Sequence, residues 1–179
     1  MKTRDLTYIA ILVALMAVCS WITIPTVVPF TLQTFGVFLA SALLGGKRGT
    51  VAVLVYILLG AVGAPVFAGF AGGPGALFGT TGGYILGFLA QAAVLWAGER
   101  LLGRSSGAFL LSGVLGLAVC YLIGSVWFLF LYSRTTGPIG MATVLGWCVV
   151  PFVIPDLVKL VLAMAVGKRL ARALDLARA

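Results

Sequence analysis

The chain has no histidine, and only four carboxylates stand against twelve lysines and arginines in 179 residues. Without histidine, a metal site of the usual zinc type is not expected. Hydrolase chemistry that relies on a histidine base is excluded too. The three cysteines, Cys19, Cys120 and Cys148, fall singly in apolar segments with no Cys-x-x-Cys spacing, so they read as small core fillers. Charge of either sign is scarce: 9% of residues are charged, against about a quarter in soluble domains. In its place is a composition that is 62% hydrophobic, which makes the chain an integral membrane protein.

A hydrocarbon core is about 30 Å thick and takes about 20 apolar residues per spanning helix. Apolar segments over 6–24, 31–44, 50–64, 84–102, 108–132 and 143–166 predict an all-α protein with six transmembrane helices in a single domain, 1–179. The second and third are short for a full span and call for tilting or extension by their flanks. Lys2 and Arg4 ahead of an apolar run reaching Cys19 mimic a signal peptide. The run is long for a signal's apolar region, and the first helix is the better reading.

Basic residues sort by loop. Lys2, Arg4, Lys47, Arg48, Arg100, Arg104, Lys168, Arg169, Arg172 and Arg178 fall in the termini and alternate loops, and Arg134 alone falls on the other side. This asymmetry predicts cytoplasmic termini. The net charge of +8 then reflects topology and attraction to anionic membrane lipid, not affinity for nucleic acid.

The twelfth cation, Lys159, lies inside the last apolar segment, three residues after Asp156. Positions three apart on a helix share a face. Counting ~1.5 Å per residue back from Lys168 puts Lys159 ~13 Å and Asp156 ~18 Å into the membrane. A charge there costs about 2.5–3.5 kcal/mol on insertion scales. The pair either neutralises itself and staples the bundle, or lines a pocket whose Asp accepts N–H donors and whose Lys donates to a carbonyl or carboxylate. A proton relay ranks below both, since no other helix supplies further titratable groups. Pro151 and Pro155 lack N–H groups, so the helix is expected to kink or restart there. A restart at Pro155 would put Asp156 in the first turn, where a helix N-terminus favours anions.

Gln33 and Tyr84 can add hydrogen bonds to such a site, and Trp21, Phe30, Phe35 and Trp147 can supply its apolar wall. Each is as readily an interfacial anchor. The glycine-rich, uncharged loop over 63–83, with Phe67, Phe70 and Phe78, suits a lid or gate, or else a loop anchored at the lipid interface. It has no Gly-Lys-Ser/Thr ending and is not read as a nucleotide site. Ala10 and Ala14, with Ala17 next, form a small-residue face on the first helix that permits close approach of another helix. With one carboxylate in the membrane and no histidine, the chain lacks the acid–base pair that most enzyme mechanisms need.

Four segments in this order carry a resemblance: Pro29-Phe-Thr-Leu-Gln-Thr-Phe-Gly-Val-Phe-Leu-Ala40, Gly60-Ala-Val-Gly-Ala-Pro-Val-Phe-Ala-Gly-Phe70, Thr81-Gly-Gly-Tyr84 and Pro151-Phe-Val-Ile-Pro-Asp-Leu-Val-Lys159. Together they resemble the BioY family, the biotin-binding S components of energy-coupling-factor transporters. The resemblance implies a six-helix, multi-pass protein of the bacterial cytoplasmic membrane that captures biotin from outside. It would work with a transmembrane T component and two ATP-binding subunits, needing no cofactor and catalysing no reaction itself. It also implies that Asp156 and Lys159 bind the substrate, that Tyr84 and Gln33 belong to the site, and that Ala10 and Ala14 contact the T component. An S component for another small vitamin, or a solitary biotin facilitator of the same fold, is the alternative.

Overall fold

The computed structural model describes residues 3–174. Helix α1 runs Thr3–Trp21, and a short antiparallel pairing of β1 (Thr23–Ile24) with β2 (Phe30–Thr31) turns the chain back at one end. Helices α2 (Gln33–Leu44) and α3 (Gly46–Ala61) follow. An irregular loop with a 3-10 turn at Ala68–Phe70 and the short α4 (Pro74–Leu77) leads to α5 (Gly82–Leu102) and α6 (Ser106–Thr135). The last two helices are α7 (Met141–Cys148) and α8 (Val150–Ala173).

Helices α1, α5, α6 and α8 are long and apolar enough to cross a bilayer. Their outward faces expose Ile11, Leu86, Leu122 and Ile154, as a lipid-facing surface requires. Helix α2 behaves differently. Its 12 residues lie among α1, α3, α5 and α8, with Val37, Phe38 and Ala40 fully buried, so protein rather than lipid surrounds it. Helix α3 has 16 residues and carries Lys47 and Arg48 in its first turn. Of the six expected segments, the second and third therefore fall short of spanning length. The α2–α3 turn is made at Gly45 with φ +79°, a left-handed conformation that suits glycine.

Helices α5 and α6 pack against each other along most of their length. Glycines bring the two backbones together. A Cβ at Gly87 would lie 2.9 Å from Cys120 Sγ, and one at Gly124 would lie 2.2 Å from the Tyr84 ring. Small residues at a membrane helix interface allow this approach where little hydrophobic force drives association.

The sixth expected segment is divided. The chain breaks at Val149 (φ −126°, ψ −58°), and α8 starts at Val150 with Pro151 in its first turn. Pro151 has no N–H to offer the Trp147 carbonyl, so it ends one helix and opens the next. Pro155 stays inside α8 without interrupting it. The restart thus falls at Val150, and Asp156 sits in the second turn rather than the first.

Contacts gather the basic segments at one end of the bundle. Arg48 pairs with Asp5 at 3.4 Å, Glu99 accepts from the Gly46 N–H and from Arg104, and Lys168 donates to Ser106. Arg134 sits in the last turn of α6, away from that end. Lys2 and Arg178 lie outside the described residues.

Candidate functional site

Charge inside the bundle is concentrated where α8 meets α2. Asp156 and Lys159 are both buried, and Lys159 Nζ donates to Asp156 Oδ1 at 2.8 Å. The end of β2 and the start of α2 meet this ion pair from the other side. Lys159 Nζ also donates to the Thr31 carbonyl at 2.7 Å and to Thr34 Oγ1 at 3.2 Å, while the Thr34 hydroxyl donates to Asp156 Oδ1 at 2.8 Å. Tyr121 of α6 donates its hydroxyl to Asp156 Oδ2 at 2.7 Å. The Phe30 ring centroid lies 4.4 Å from the ammonium, a cation–π contact.

An ammonium has three donors, and all three are engaged by the protein. A carboxylate has about four acceptor positions, and Asp156 uses three: Lys159 and Thr34 on Oδ1, and Tyr121 on Oδ2. The pair therefore ties three helices together. It also keeps one acceptor position on Oδ2 for a further donor.

Asp156 and Lys159 line a cavity of about 240 Å³ together with Gln33 and Tyr84. All four predicted site residues meet there. The Tyr84 hydroxyl hydrogen-bonds Ser125 Oγ at 3.1 Å. Gln33 Nε2 donates to the Tyr56 hydroxyl at 2.8 Å, and that hydroxyl donates onward to the Val66 carbonyl at 2.7 Å. Because Tyr56 gives its one proton to Val66, it can only accept from Gln33. This fixes the side-chain amide with its NH₂ turned to Tyr56 and leaves Oε1 as an acceptor.

The apolar wall is not the one expected. Phe67, Ile85, Phe88 and Phe152 line the cavity. Trp21 is half-exposed and stacks on Phe70 at 5.0 Å, and Trp147 packs edge-on against Tyr132. Neither reaches the cavity, and Phe35 is also absent from it, packing partly buried against the core. Phe30 touches the site through Lys159 and through Phe152, at 5.6 Å between rings. Large aromatics near a helix end are anchors as often as pocket walls, and sequence does not separate the two.

The glycine-rich loop contributes Phe67, Ala68, Ala71, Gly75, Ala76, Gly79, Thr80 and Thr81 to the lining, so it roofs the cavity. Phe67 points in and is buried, while Phe70 and Phe78 are exposed. The loop thus turns one aromatic ring toward the cavity and leaves two outside. Ser20 and Tyr56 hold it by the Val66 carbonyl, and Trp21 Nε1 donates to the Pro65 carbonyl at 2.8 Å. Phe70 has φ +58°, the one positive value at a non-glycine among the described residues, and an aromatic in that region is strained.

Residues that the sequence reading missed are Tyr121, Thr34 as the bridge between both charges, and Tyr56. A tyrosine in an apolar helix gives no sign in the sequence of which way its hydroxyl points. Cys120 and Cys148 are buried and also line the cavity. Ala10 and Ala14 lie elsewhere, exposed on α1, while Ala17 is buried. Among the described residues no group of histidine, cysteine or carboxylate side chains is placed to hold a metal ion.

The family model described as the BioY family matches residues 1–176. The chain is 44% identical over 173 residues to the biotin transporter BioY of Thermotoga maritima, covering 94% of this chain and 96% of that relative. It is 36% identical over 176 residues to the biotin transporter BioY2 of Lactococcus lactis, covering 97% and 93%. The fold is similar to a solved structure described as the S-component for biotin from an ECF-type ABC transporter. The TM-score is 0.81 and the identity 26%, with 96% of this chain and 95% of that one covered.

Proposed function

The chain belongs to the BioY family, and on that premise we propose that it takes up biotin as the S component of an energy-coupling-factor transporter, binding it beside Asp156 and Lys159. The observation that carries this reading is a buried ion pair opening into a cavity with apolar walls and a glycine-rich roof. A buried pair is seldom a net stabiliser, so its retention fits a polar guest better than scaffolding alone.

Biotin has a ureido ring with two N–H donors and one carbonyl, an apolar thiophane and a valerate carboxylate. The donor and acceptor count favours the ureido ring at the ion pair. Asp156 Oδ2 has an acceptor position left and Gln33 has Oε1, which suits two N–H groups. Lys159 serves the ureido carbonyl by giving up its longest bond, that to Thr34 at 3.2 Å. The thiophane lies between Phe88 and Phe152. The valerate carboxylate then lies toward Thr80 and Thr81 at the amino end of the 21-residue α5, where the threonine hydroxyls can donate and the helix dipole favours an anion.

The chain is a multi-pass protein of the cytoplasmic membrane. Six membrane helices, with α2 and α3 as the short inner pair and α7–α8 as one interrupted crossing, put both termini and the basic end in the cytoplasm and open the roofed cavity outward. The partners are a T component, met by the exposed Ala10 and Ala14 of α1, and ATP-binding subunits that supply the energy. The chain itself catalyses no reaction and needs no cofactor.

Titration calorimetry of the purified protein with biotin and a panel of other vitamins tests the reading: saturable binding to biotin is expected, with other vitamins orders of magnitude weaker. Equal or stronger binding of another vitamin would reassign the substrate. Tyr56→Phe keeps the ring packed on Phe67 but frees the Gln33 amide to turn. The same titration is expected to show about a tenfold loss of biotin affinity, the value of one hydrogen bond. Unchanged affinity would remove Gln33 from the site.

A further inference from the structure

A second cavity, of about 640 Å³, lies at the basic end, bounded by the α2–α3 turn, the α5–α6 turn and the last turns of α8. Five cations line it, Lys47, Arg48, Arg100, Arg104 and Lys168, against two carboxylates, Asp5 and Glu99. The two acids are committed, Asp5 to Arg48, and Glu99 to Arg104 and the Gly46 N–H. Lys47, Arg100 and Lys168 have no carboxylate partner among the described residues, so the described lining carries an excess of three positive charges. Arg100 stacks over Trp96 and Lys168 donates to Ser106, which holds both near the rim.

Ser41 supplies an independent sign. It is 5% exposed, lines this cavity, and its hydroxyl has no hydrogen-bond partner among the described residues. A buried hydroxyl left unpaired is costly and rare in native structures. Below the cations the cavity is apolar, with Leu95, Phe109 and Met164, and the neighbouring Leu101 and Leu102 are exposed. A cationic rim over an apolar floor, at the level where helices leave the hydrocarbon, matches an anionic phospholipid, its phosphate at the rim and an acyl chain along the floor.

We infer that this cavity is a binding site for one anionic phospholipid of the same leaflet, held by Lys47, Arg100 and Lys168 with Ser41 beneath them. The leaflet assignment rests on the orientation proposed above; the site itself does not.

Native mass spectrometry and thermal unfolding of the purified protein, with phosphatidylglycerol or phosphatidylcholine added at equal mole fraction, test it. One retained phosphatidylglycerol and selective stabilisation by that lipid are expected. The triple substitution Lys47→Gln, Arg100→Gln, Lys168→Gln is expected to lower phosphatidylglycerol affinity about a hundredfold while biotin affinity stays unchanged. Where the triple variant does not fold, Lys47→Gln alone is expected to lose about fivefold, and Ser41→Ala is expected to weaken the lipid's stabilising effect. Equal retention of both lipids, or undiminished phosphatidylglycerol binding in the variants, would overturn the site. Equal stabilisation by inorganic phosphate would overturn the lipid as its occupant. Biotin binding is read separately, so failure of the substrate assignment leaves this result interpretable.

Discussion

Biotin affinity is expected to fall at least about a hundredfold in Asp156→Ala and in Lys159→Ala. Each substitution removes a charged hydrogen bond to the ligand, worth about 1.5–3 kcal/mol, and leaves the surviving partner buried without its counter-ion. The two variants differ in what they do to the bundle. Asp156→Ala leaves the Thr34 and Tyr121 hydroxyls without their acceptor and the Lys159 ammonium with two of its three acceptors. Lys159→Ala leaves Asp156 with its two hydroxyl donors, so it is the milder change for folding. Asp156→Asn, nearly isosteric, keeps the shape of the cavity and removes the charge. Titration calorimetry of all three, with unfolding followed in parallel, separates lost recognition from lost structure. Wild-type affinity in both alanine variants would show that the pair only ties α2 and α6 to α8.

The second large effect is on folding. Gly124→Leu is expected to destabilise the protein by about 3 kcal/mol or more and to abolish biotin binding, because the first carbon of the new side chain would already lie 2.2 Å from the Tyr84 ring. Tyr84 is buried, hydrogen-bonded to Ser125 and part of the cavity wall, so relief of the overlap must either separate α5 from α6 or push the ring into the site. The three buried free thiols, Cys19, Cys120 and Cys148, report the transition through their reaction with a thiol-specific dye on heating. Gly107→Ala on the same helix, where a Cβ meets nothing within 4 Å, is the control and is expected to unfold like the parent. Comparable unfolding temperatures for the two variants would refute the close packing of α5 on α6.

What could be read from the sequence follows from what is costly. Asp156 and Lys159 stood out because charge within an apolar run needs a reason, and the structure brings both to one cavity with Gln33 and Tyr84. Tyr121 and Tyr56 did not stand out. A tyrosine is at home in an apolar helix, and only the three-dimensional arrangement shows that one hydroxyl ends on Asp156 Oδ2 and the other on Val66. The aromatic wall was misread for a related reason: Trp21 and Trp147 sit at helix ends and pack on Phe70 and Tyr132, while Phe67, Phe88 and Phe152 are the residues that reach inward. Composition and charge gave the membrane class, and α1, α5, α6 and α8 have spanning length. The short α2 escaped the simple length rule because its surroundings are protein. The break before α8 was expected from two prolines but occurs at Val149, because a proline is accommodated in a helix's first turn and so marks a beginning.

The most direct test of the account is a crystal structure of the biotin complex in which the anomalous signal of the thiophane sulfur fixes the ligand's place and direction. The account predicts the sulfur between Phe88 and Phe152, a ureido N–H on Asp156 and the carboxylate toward Thr80 and Thr81. A sulfur peak outside this cavity, or a ligand with no contact to either Asp156 or Lys159, would contradict it.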